Sequence, residues 1–127
     1  MYLKIKRHFD AAHRLCNYPG RCKNLHGHRW EVIATFEFPS ALVEPPTNMA
    51  ADFSVIKKLV DGCLPDHEYL NDFYKIDDPT AEYLSLLLYK TISSALSSSV
   101  LNNSIRLYSI ELFESPECSI VAEEGDS

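Results

Sequence analysis

Three histidines near the N-terminus, His13, His26 and His28, are the residues best suited to chemistry in this sequence. His26 and His28 stand two positions apart at the start of a strand-like segment, and residues i and i+2 of a strand project from the same face. His13 ends an earlier strand-like segment and could supply a third nitrogen from a neighbouring strand. Three neutral imidazoles with a vacant fourth position form a catalytic zinc site, whereas a structural site is closed by a fourth protein ligand. The pattern therefore predicts a Zn²⁺ site.

Cys22 lies between the two strand-like segments and leaves two interpretations open. As a fourth ligand it would close the site, and the zinc would only hold the fold. As a free thiol beside the metal it would lose its proton readily and serve as a nucleophile or base. Cys16 and Cys118 have no such context, and Cys63 falls on an apolar stripe that predicts core packing.

Length and composition place the chain among globular proteins. Its 127 residues predict one domain, 1–122, followed by an acidic tail, 123–127, that we expect to be disordered. The net charge of −6 argues against a general nucleic-acid binder. No apolar run approaches the ~20 residues of a membrane span, and no signal-peptide pattern opens the chain, which predicts a cytoplasmic protein with reduced thiols.

Basic residues are nonetheless concentrated in the first thirty positions, around the proposed metal site. They are Lys4, Lys6, Arg7, Arg14, Arg21, Lys23 and Arg29. A local positive field of this kind would suit an anionic small molecule, although a solvated face is an equally good interpretation of any one of them.

The hydrophobic pattern predicts an α+β fold with the order ββααββ, in which a four-stranded antiparallel sheet carries two helices on one face. Alternation of apolar and polar residues marks the strands, and apolar residues spaced three and four apart mark the helices. The predicted strands are 2–13, 26–38, 105–114 and 118–122; one helix follows Asp52 and ends before Pro65, one follows Thr80 and ends near Leu96, and 97–104 is a turn.

On three predicted strands, polar residues occupy alternating positions that are otherwise apolar, so they lie on the apolar face. His13, His26 and His28 do so on the first two, and Glu114 does so on the third, in phase with Tyr108. A carboxylate on an apolar strand face is costly unless it has a partner. We therefore expect Glu114 to join the histidines in one site.

The combination of Ala11-Ala12-His13 with Cys22-x-x-x-His26-Gly27-His28 resembles the 6-pyruvoyltetrahydropterin synthase family. The three-residue gap after Cys22 is more similar to the 6-carboxytetrahydropterin synthase branch, and the resemblance extends from Phe9 to Glu114. It implies the tunnelling fold (T-fold), in which three sheets close a barrel around a pore and two trimers stack. It also implies a homohexamer with composite active sites.

The resemblance assigns catalytic roles to Cys22, Asp66 and His67. Asp66 and His67 begin the segment Asp-His-Glu-Tyr-Leu-Asn-Asp, which resembles the catalytic Asp-His segment of the family. A carboxylate that orients an imidazole makes a proton shuttle near neutral pH. A loop pair that caps a helix end is the alternative interpretation. Cys22 would be the base beside the metal.

Substrate-binding roles are implied for Glu114, Thr80 and Glu82. Glu114, in Phe-Glu-Ser, resembles the pterin anchor, since a carboxylate accepts two parallel hydrogen bonds from the pterin ring. Thr80 and Glu82, in Pro-Thr-Ala-Glu, resemble a pterin-contacting segment supplied by a neighbouring subunit. Both residues are also favourable at a helix N-terminus, and the two roles are compatible.

The implied reaction consumes 7,8-dihydroneopterin triphosphate and uses Zn²⁺. In the carboxy branch it releases triphosphate and acetaldehyde and leaves 6-carboxy-5,6,7,8-tetrahydropterin, an intermediate towards 7-deazapurines such as queuosine. Two alternatives remain open: 6-pyruvoyltetrahydropterin synthase activity on the same substrate, and a non-catalytic module with a structural zinc.

Overall fold

A five-stranded sheet organises the chain, with the strand order β3-β1-β2-β4-β5. The computed structural model describes residues 1–101 and 104–126. The strands are β1 Tyr2–His13, β2 His26–Glu37, β3 Glu68–Tyr69, β4 Arg106–Ser115 and β5 Cys118–Glu123, and the helices are α1 Phe53–Asp61, α2 Leu70–Tyr74 and α3 Ala81–Ser97. Helices α1 and α3 pack against the sheet over one continuous hydrophobic core.

The predicted α+β class and the order of the long elements are confirmed, with two corrections. The sheet has five strands, not four, because β3 pairs in parallel with β1 through Ala11 and Ala12. The predicted loop 66–72 also contains the start of the short helix α2. A strand of two residues is too short for alternation to mark it.

The two main helices begin at the predicted caps. The Asp52 side chain accepts a hydrogen bond from the Ser54 amide at 2.8 Å, and Thr80 Oγ1 accepts one from the Tyr83 amide at 3.1 Å. Each bond satisfies an amide that the first turn leaves unpaired. Helix α1 ends at Asp61 with Gly62 as its C-cap, before the predicted stop at Pro65.

Two single-residue bulges interrupt β4, and they change which side chains reach the core. Thr35 pairs with Ser109 and Phe36 with Leu107, so Tyr108 is an extra residue opposite β2. Leu107 is therefore buried, and Tyr108 packs instead against Tyr2, with ring centroids 5.0 Å apart. The predicted phase of Tyr108 was wrong, because a bulge shifts the alternation by one residue.

The second bulge contains Glu114. Phe113 pairs with Ser119, whereas Ser115 pairs with Cys118, which leaves Glu114 as the extra residue opposite β5. Bulges at such positions redirect a side chain and occur often beside functional sites.

The buried side chain of Asn71 joins the loop after β1 to the segment after α2. Its amide oxygen accepts from the Arg14 amide at 3.0 Å, and its Nδ2 donates to the carbonyls of Arg14 and Asp77 at 2.9 and 3.1 Å. Asn71 thereby fixes the chain directly after His13.

The predicted turn 97–104 and the predicted tail 123–127 are each described only in part. Asn102 and Asn103 of the turn 97–104, and Ser127 of the tail, lie outside the described residues. Glu123 belongs to β5, and Glu124 pairs with Arg106. Within 1–101 and 104–126, the helices are all too short or too polar to cross a membrane.

Candidate functional site

The three histidines meet where β1 ends and β2 begins. His13 is directly opposite His26 in the antiparallel register, and His28 follows two residues along β2. One ring nitrogen from each of His13, His26 and His28 lies within 4.8 Å of the others. A small inward movement of the rings would let these nitrogens share one metal ion with bonds of about 2.0–2.1 Å.

Backbone carbonyls orient two of the rings. His13 Nδ1 lies 2.9 Å from the carbonyl oxygen of Pro79, and His26 Nδ1 lies 2.7 Å from that of Asn24. A carbonyl oxygen only accepts, so Nδ1 carries the proton in both rings and Nε2 keeps its lone pair. This second contact of a histidine fixes the tautomer at metal sites in general.

The Nε2 atoms of His13 and His28 are the clearest sign of a missing partner. Both are buried, and neither has a hydrogen-bond partner among the described residues. Buried polar atoms are nearly always paired, so an unpaired acceptor indicates a ligand. The histidine set therefore fits a metal ion with a preference for nitrogen, such as Zn²⁺.

Burial also sets the protonation state of these rings. Only 1% of His13 is exposed, and desolvation lowers its pKa below the ordinary value of 6.5. Desolvation lowers the pKa of His28 in the same way. Both rings are consequently neutral at pH 7, the form that binds a metal. Buried Trp30 contacts both, with ring centroids 5.1 and 5.3 Å away.

The Glu114 carboxylate faces the same point. Its Oε2 lies 3.9 Å from His13 Nε2, and its Oε1 lies 3.9 Å from His28 Nε2. The structure therefore brings Glu114 to the histidines, as expected from the strand phases, since Glu114 alternates with the buried residues Ile110 and Leu112.

Cys22 lies in a 3₁₀ turn, Arg21–Lys23, in the loop that joins β1 to β2. It is half-buried and unoxidised, and its carbonyl accepts a hydrogen bond from the Leu15 amide at 2.8 Å. Of the residues in 1–101 and 104–126, only the three histidines form the group of potential ligand atoms, so Cys22 Sγ is outside it. This geometry favours the free thiol over the fourth ligand.

Asp66 and His67 form a hydrogen-bonded pair beside the edge of β1. Asp66 Oδ2 lies 2.9 Å from His67 Nδ1, and Asp66 Oδ1 accepts from the Asp10 amide at 2.9 Å. These bonds, that from Asp10 first, lower the pKa of the Asp66 carboxyl. His67 is exposed and lines a groove of about 550 Å³ together with His28. The pair is thus an ionised carboxylate that orients an accessible imidazole.

Thr80 and Glu82 lie at the start of α3, and Glu82 and Glu114 line one cavity of about 180 Å³. The helix-cap role of Thr80 is confirmed by its bond to the Tyr83 amide. Glu82 and Glu114 of one chain thus lie close together, and the composite site shared between subunits stays a prediction.

Nothing in the sequence indicates the roles of Pro79 and Asn24, whose carbonyls orient His13 and His26, because every residue carries a carbonyl. The role of Asp10 was not predicted either: Asp10 contacts Asp66 and His67 through its backbone and Arg29 through its side chain. Opposite charges facing each other in the β1–β2 register were the available signal.

Known proteins are similar in sequence to this chain over most of its length. The 6-carboxy-5,6,7,8-tetrahydropterin synthase of Synechocystis sp. is 33% identical over 93 residues, covering 68% of this chain and 70% of that protein. The protein of the same name from Rickettsia bellii is 29% identical over 133 aligned positions, covering 88% of this chain and 92% of that protein.

Solved structures share the fold. The 6-pyruvoyl tetrahydropterin synthase of Caenorhabditis elegans superposes with a TM-score of 0.81 at 22% identity, covering 98% of this chain and 96% of that chain. That of Plasmodium falciparum has a TM-score of 0.73 at 15% identity, covering 98% and 97%. The predicted T-fold is therefore confirmed. The family model described as 6-pyruvoyl tetrahydropterin synthase matches residues 2–125, and the chain belongs to this family of lyases, as its sequence predicted.

Proposed function

We propose that this protein is a zinc-dependent 6-carboxy-5,6,7,8-tetrahydropterin synthase. Its substrates would be 7,8-dihydroneopterin triphosphate and one water molecule, and its products 6-carboxy-5,6,7,8-tetrahydropterin, triphosphate and acetaldehyde. The names of the relatives from Synechocystis sp. and Rickettsia bellii support the choice of branch. The observation that carries the proposal is the pair of buried Nε2 atoms on His13 and His28, which have no partner in the part of the chain that the structure describes.

His13, His26 and His28 would hold the zinc ion. When bound, zinc supplies Lewis acidity, which makes protons next to a coordinated hydroxyl or carbonyl easier to remove. His13 and His28 are prepared for this role by their neutral rings, and His13 and His26 by the carbonyls of Pro79 and Asn24. A pre-oriented ligand loses less entropy when the metal binds.

Glu114 would anchor the pterin ring. An ionised carboxylate accepts two parallel N–H bonds, from the 2-amino group and a ring nitrogen, which selects this heterocycle. Because its oxygens lie 3.9 Å from His13 Nε2 and His28 Nε2, a pterin held there would be adjacent to the histidines. Glu82 lines the cavity beside Glu114 and would contact the same ring, next to Thr80 at the helix start.

Two separate groups would move protons. Cys22 is a thiol outside the ligand group and would remove the proton on the side-chain carbon next to the ring. His67 would exchange a proton elsewhere on the side chain, with Asp66 holding its Nδ1 and leaving Nε2 accessible. Two groups at different places allow removal and return of a proton at different carbons.

The direct test is incubation of the purified, zinc-loaded protein with dihydroneopterin triphosphate, followed by identification of the products by mass. A 6-carboxy product together with acetaldehyde supports the proposal. A 6-pyruvoyl product would assign the chain to the other activity of the family. No turnover by folded, zinc-loaded protein would favour the non-catalytic zinc module.

We also propose that the chain assembles as a homohexamer, a dimer of trimers. The sheet ends at β3 and β5, and edge strands of this kind suit pairing with another subunit. Charged side chains such as Lys6 and Glu31, 3.1 Å apart, occupy the sheet face opposite the core. That face would line the pore.

A further inference from the structure

We propose that the ion pair between Asp10 and Arg29 is a positioning device that holds the Asp66–His67 pair in place over the groove beside His28. The inference rests on the proposed function, because the proton-transfer role of His67 comes from there. Neither Asp10 nor Arg29 belongs to the metal-binding or pterin-binding set.

Asp10 holds both members of the Asp66–His67 pair through its backbone. Its amide donates to Asp66 Oδ1 at 2.9 Å, and its carbonyl accepts from the His67 amide at 2.7 Å. His67 has a φ of 60°, a left-handed conformation that is unfavourable for a residue with a Cβ. Such a conformation persists where surrounding contacts hold it, and Asp10 supplies two of those contacts.

Arg29 fixes Asp10 from the other side. Its Nε and Nη2 donate to Asp10 Oδ1 and Oδ2 at 3.0 and 3.1 Å, a two-pronged contact. Asp10 and Arg29 are direct cross-strand partners of β1 and β2. Both backbone groups of Asp10 bond to the 66–67 segment. Asp10 and Arg29 are therefore a non-hydrogen-bonded pair of the antiparallel strands β1 and β2. Side chains are closest at such positions.

The charges of the two residues also compensate each other next to the catalytic pair. Arg29 lowers the pKa of Asp10, whereas the neighbouring Asp66 carboxylate acts in the opposite direction. The ionisable groups that line the groove with His67, or bond to it, are Asp66 on its own segment, Asp10 on β1, His28 and Arg29 on β2, and Glu68 and Tyr69 on β3. Without Arg29, the carboxylate of Asp10 would add an uncompensated negative charge there.

Global stability does not explain the pair. Arg29 and Asp10 side chains are 63% and 42% exposed. Exposed ion pairs contribute little to folding, so replacing either residue should leave a folded protein. An effect on the reaction would therefore come from local position and charge.

The experiment compares Arg29→Gln, Arg29→Lys and Asp10→Asn with Lys6→Gln as the matched control. Lys6 on β1 forms a cross-strand ion pair with Glu31 on β2, away from Asp66 and His67. For each zinc-loaded variant, zinc content, kcat, KM and the pH dependence of kcat/KM are measured. The ¹⁵N-histidine NMR signal of His67, identified by its loss in His67→Asn, is titrated in parallel without substrate.

Arg29→Gln and Asp10→Asn should each lower kcat on the order of 10- to 100-fold with little change in KM, the usual cost of displacing a reacting group. The two variants should shift the acid limb of the kcat/KM profile and the midpoint of the His67 NMR titration in opposite directions. The shift should be towards higher pH for Arg29→Gln and towards lower pH for Asp10→Asn. Each shift should be on the order of a few tenths of a pH unit, because single exposed charges interact weakly through water. Arg29→Lys should keep the pH dependence but lower kcat, because lysine lacks the planar fork.

A rise in KM with unchanged kcat in Arg29→Gln would overturn the inference, since it would make Arg29 a substrate-binding residue. Equal shifts in both variants, or shifts as large in Lys6→Gln, would also overturn it. If wild-type protein fails to turn over the pterin, the proposed function is wrong. The NMR titration then still decides whether Asp10 and Arg29 position His67.

Discussion

Replacing His26 by alanine is the sharpest test of the metal site. His26 is half-buried, whereas His13 is fully buried, so truncation at His26 disturbs the core least. His26 is also held by the Asn24 carbonyl at 2.7 Å, and the variant therefore removes a pre-oriented ligand. Two imidazoles would remain, one from each strand.

The expected loss follows from the number of ligands. Four-ligand zinc sites contribute roughly 10–16 kcal/mol at pH 7, or about 3 kcal/mol per ligand. Losing one of three imidazoles should therefore raise the zinc Kd on the order of 100-fold. We expect the purified variant to keep half of its zinc or less and to lose turnover.

Zinc content by elemental analysis and zinc affinity by chelator competition provide the measurement. His8→Ala is the matched control, because His8 is an exposed histidine on β1 outside the ligand group. It should retain wild-type zinc and affinity. Stoichiometric zinc with unchanged affinity in His26→Ala would refute the three-histidine site.

Four further results are expected. Cys22→Ala should keep its zinc and fold while losing on the order of 10²–10⁴ in rate, the usual range for one proton-transfer group; zinc loss would make Cys22 a ligand. Asn71→Ala should lower the free energy of unfolding in urea by about 3 kcal/mol, because three hydrogen bonds of about 1 kcal/mol each are lost; a change below about 1 kcal/mol would contradict this. Zinc-free protein should lose stability as pH falls below 6.5, since the lowered pKa values of His13 and His28 let the unfolded chain bind more protons; flat unfolding curves between pH 7 and pH 5 would argue against it. Sedimentation of the zinc-loaded protein should give the mass of six 14.4 kDa chains, and a monomer would rule out the proposed hexamer.

The sequence predicted the long strands and the metal triad because both depend on regular alternation. His13 shares the parity of buried Phe9 on β1, and His26 and His28 share that of buried Val32 on β2; one register between the two strands brings them together. Side-chain type and period were sufficient here, since a strand has only two faces.

Features that depend on tertiary contacts could not be predicted in this way. The bulge at Tyr108 leaves no mark in the alternation, and β3 is defined by its pairing with Ala11 and Ala12. The common cavity of Glu82 and Glu114 depends on how α3 lies across the sheet. Local sequence does not determine that packing angle.

The two bulges of β4 make the number of its residues as important as their identity. Leu107 and Glu114 differ in parity, yet Leu107 reaches the core and Glu114 reaches the histidines, because Tyr108 adds one residue between them. Deleting or inserting one residue between 109 and 113 would turn Glu114 to the opposite face. The length of β4 between its bulges is therefore constrained as strictly as the types of its buried residues, whereas an insertion in the surface loop 39–52 would leave this register unchanged.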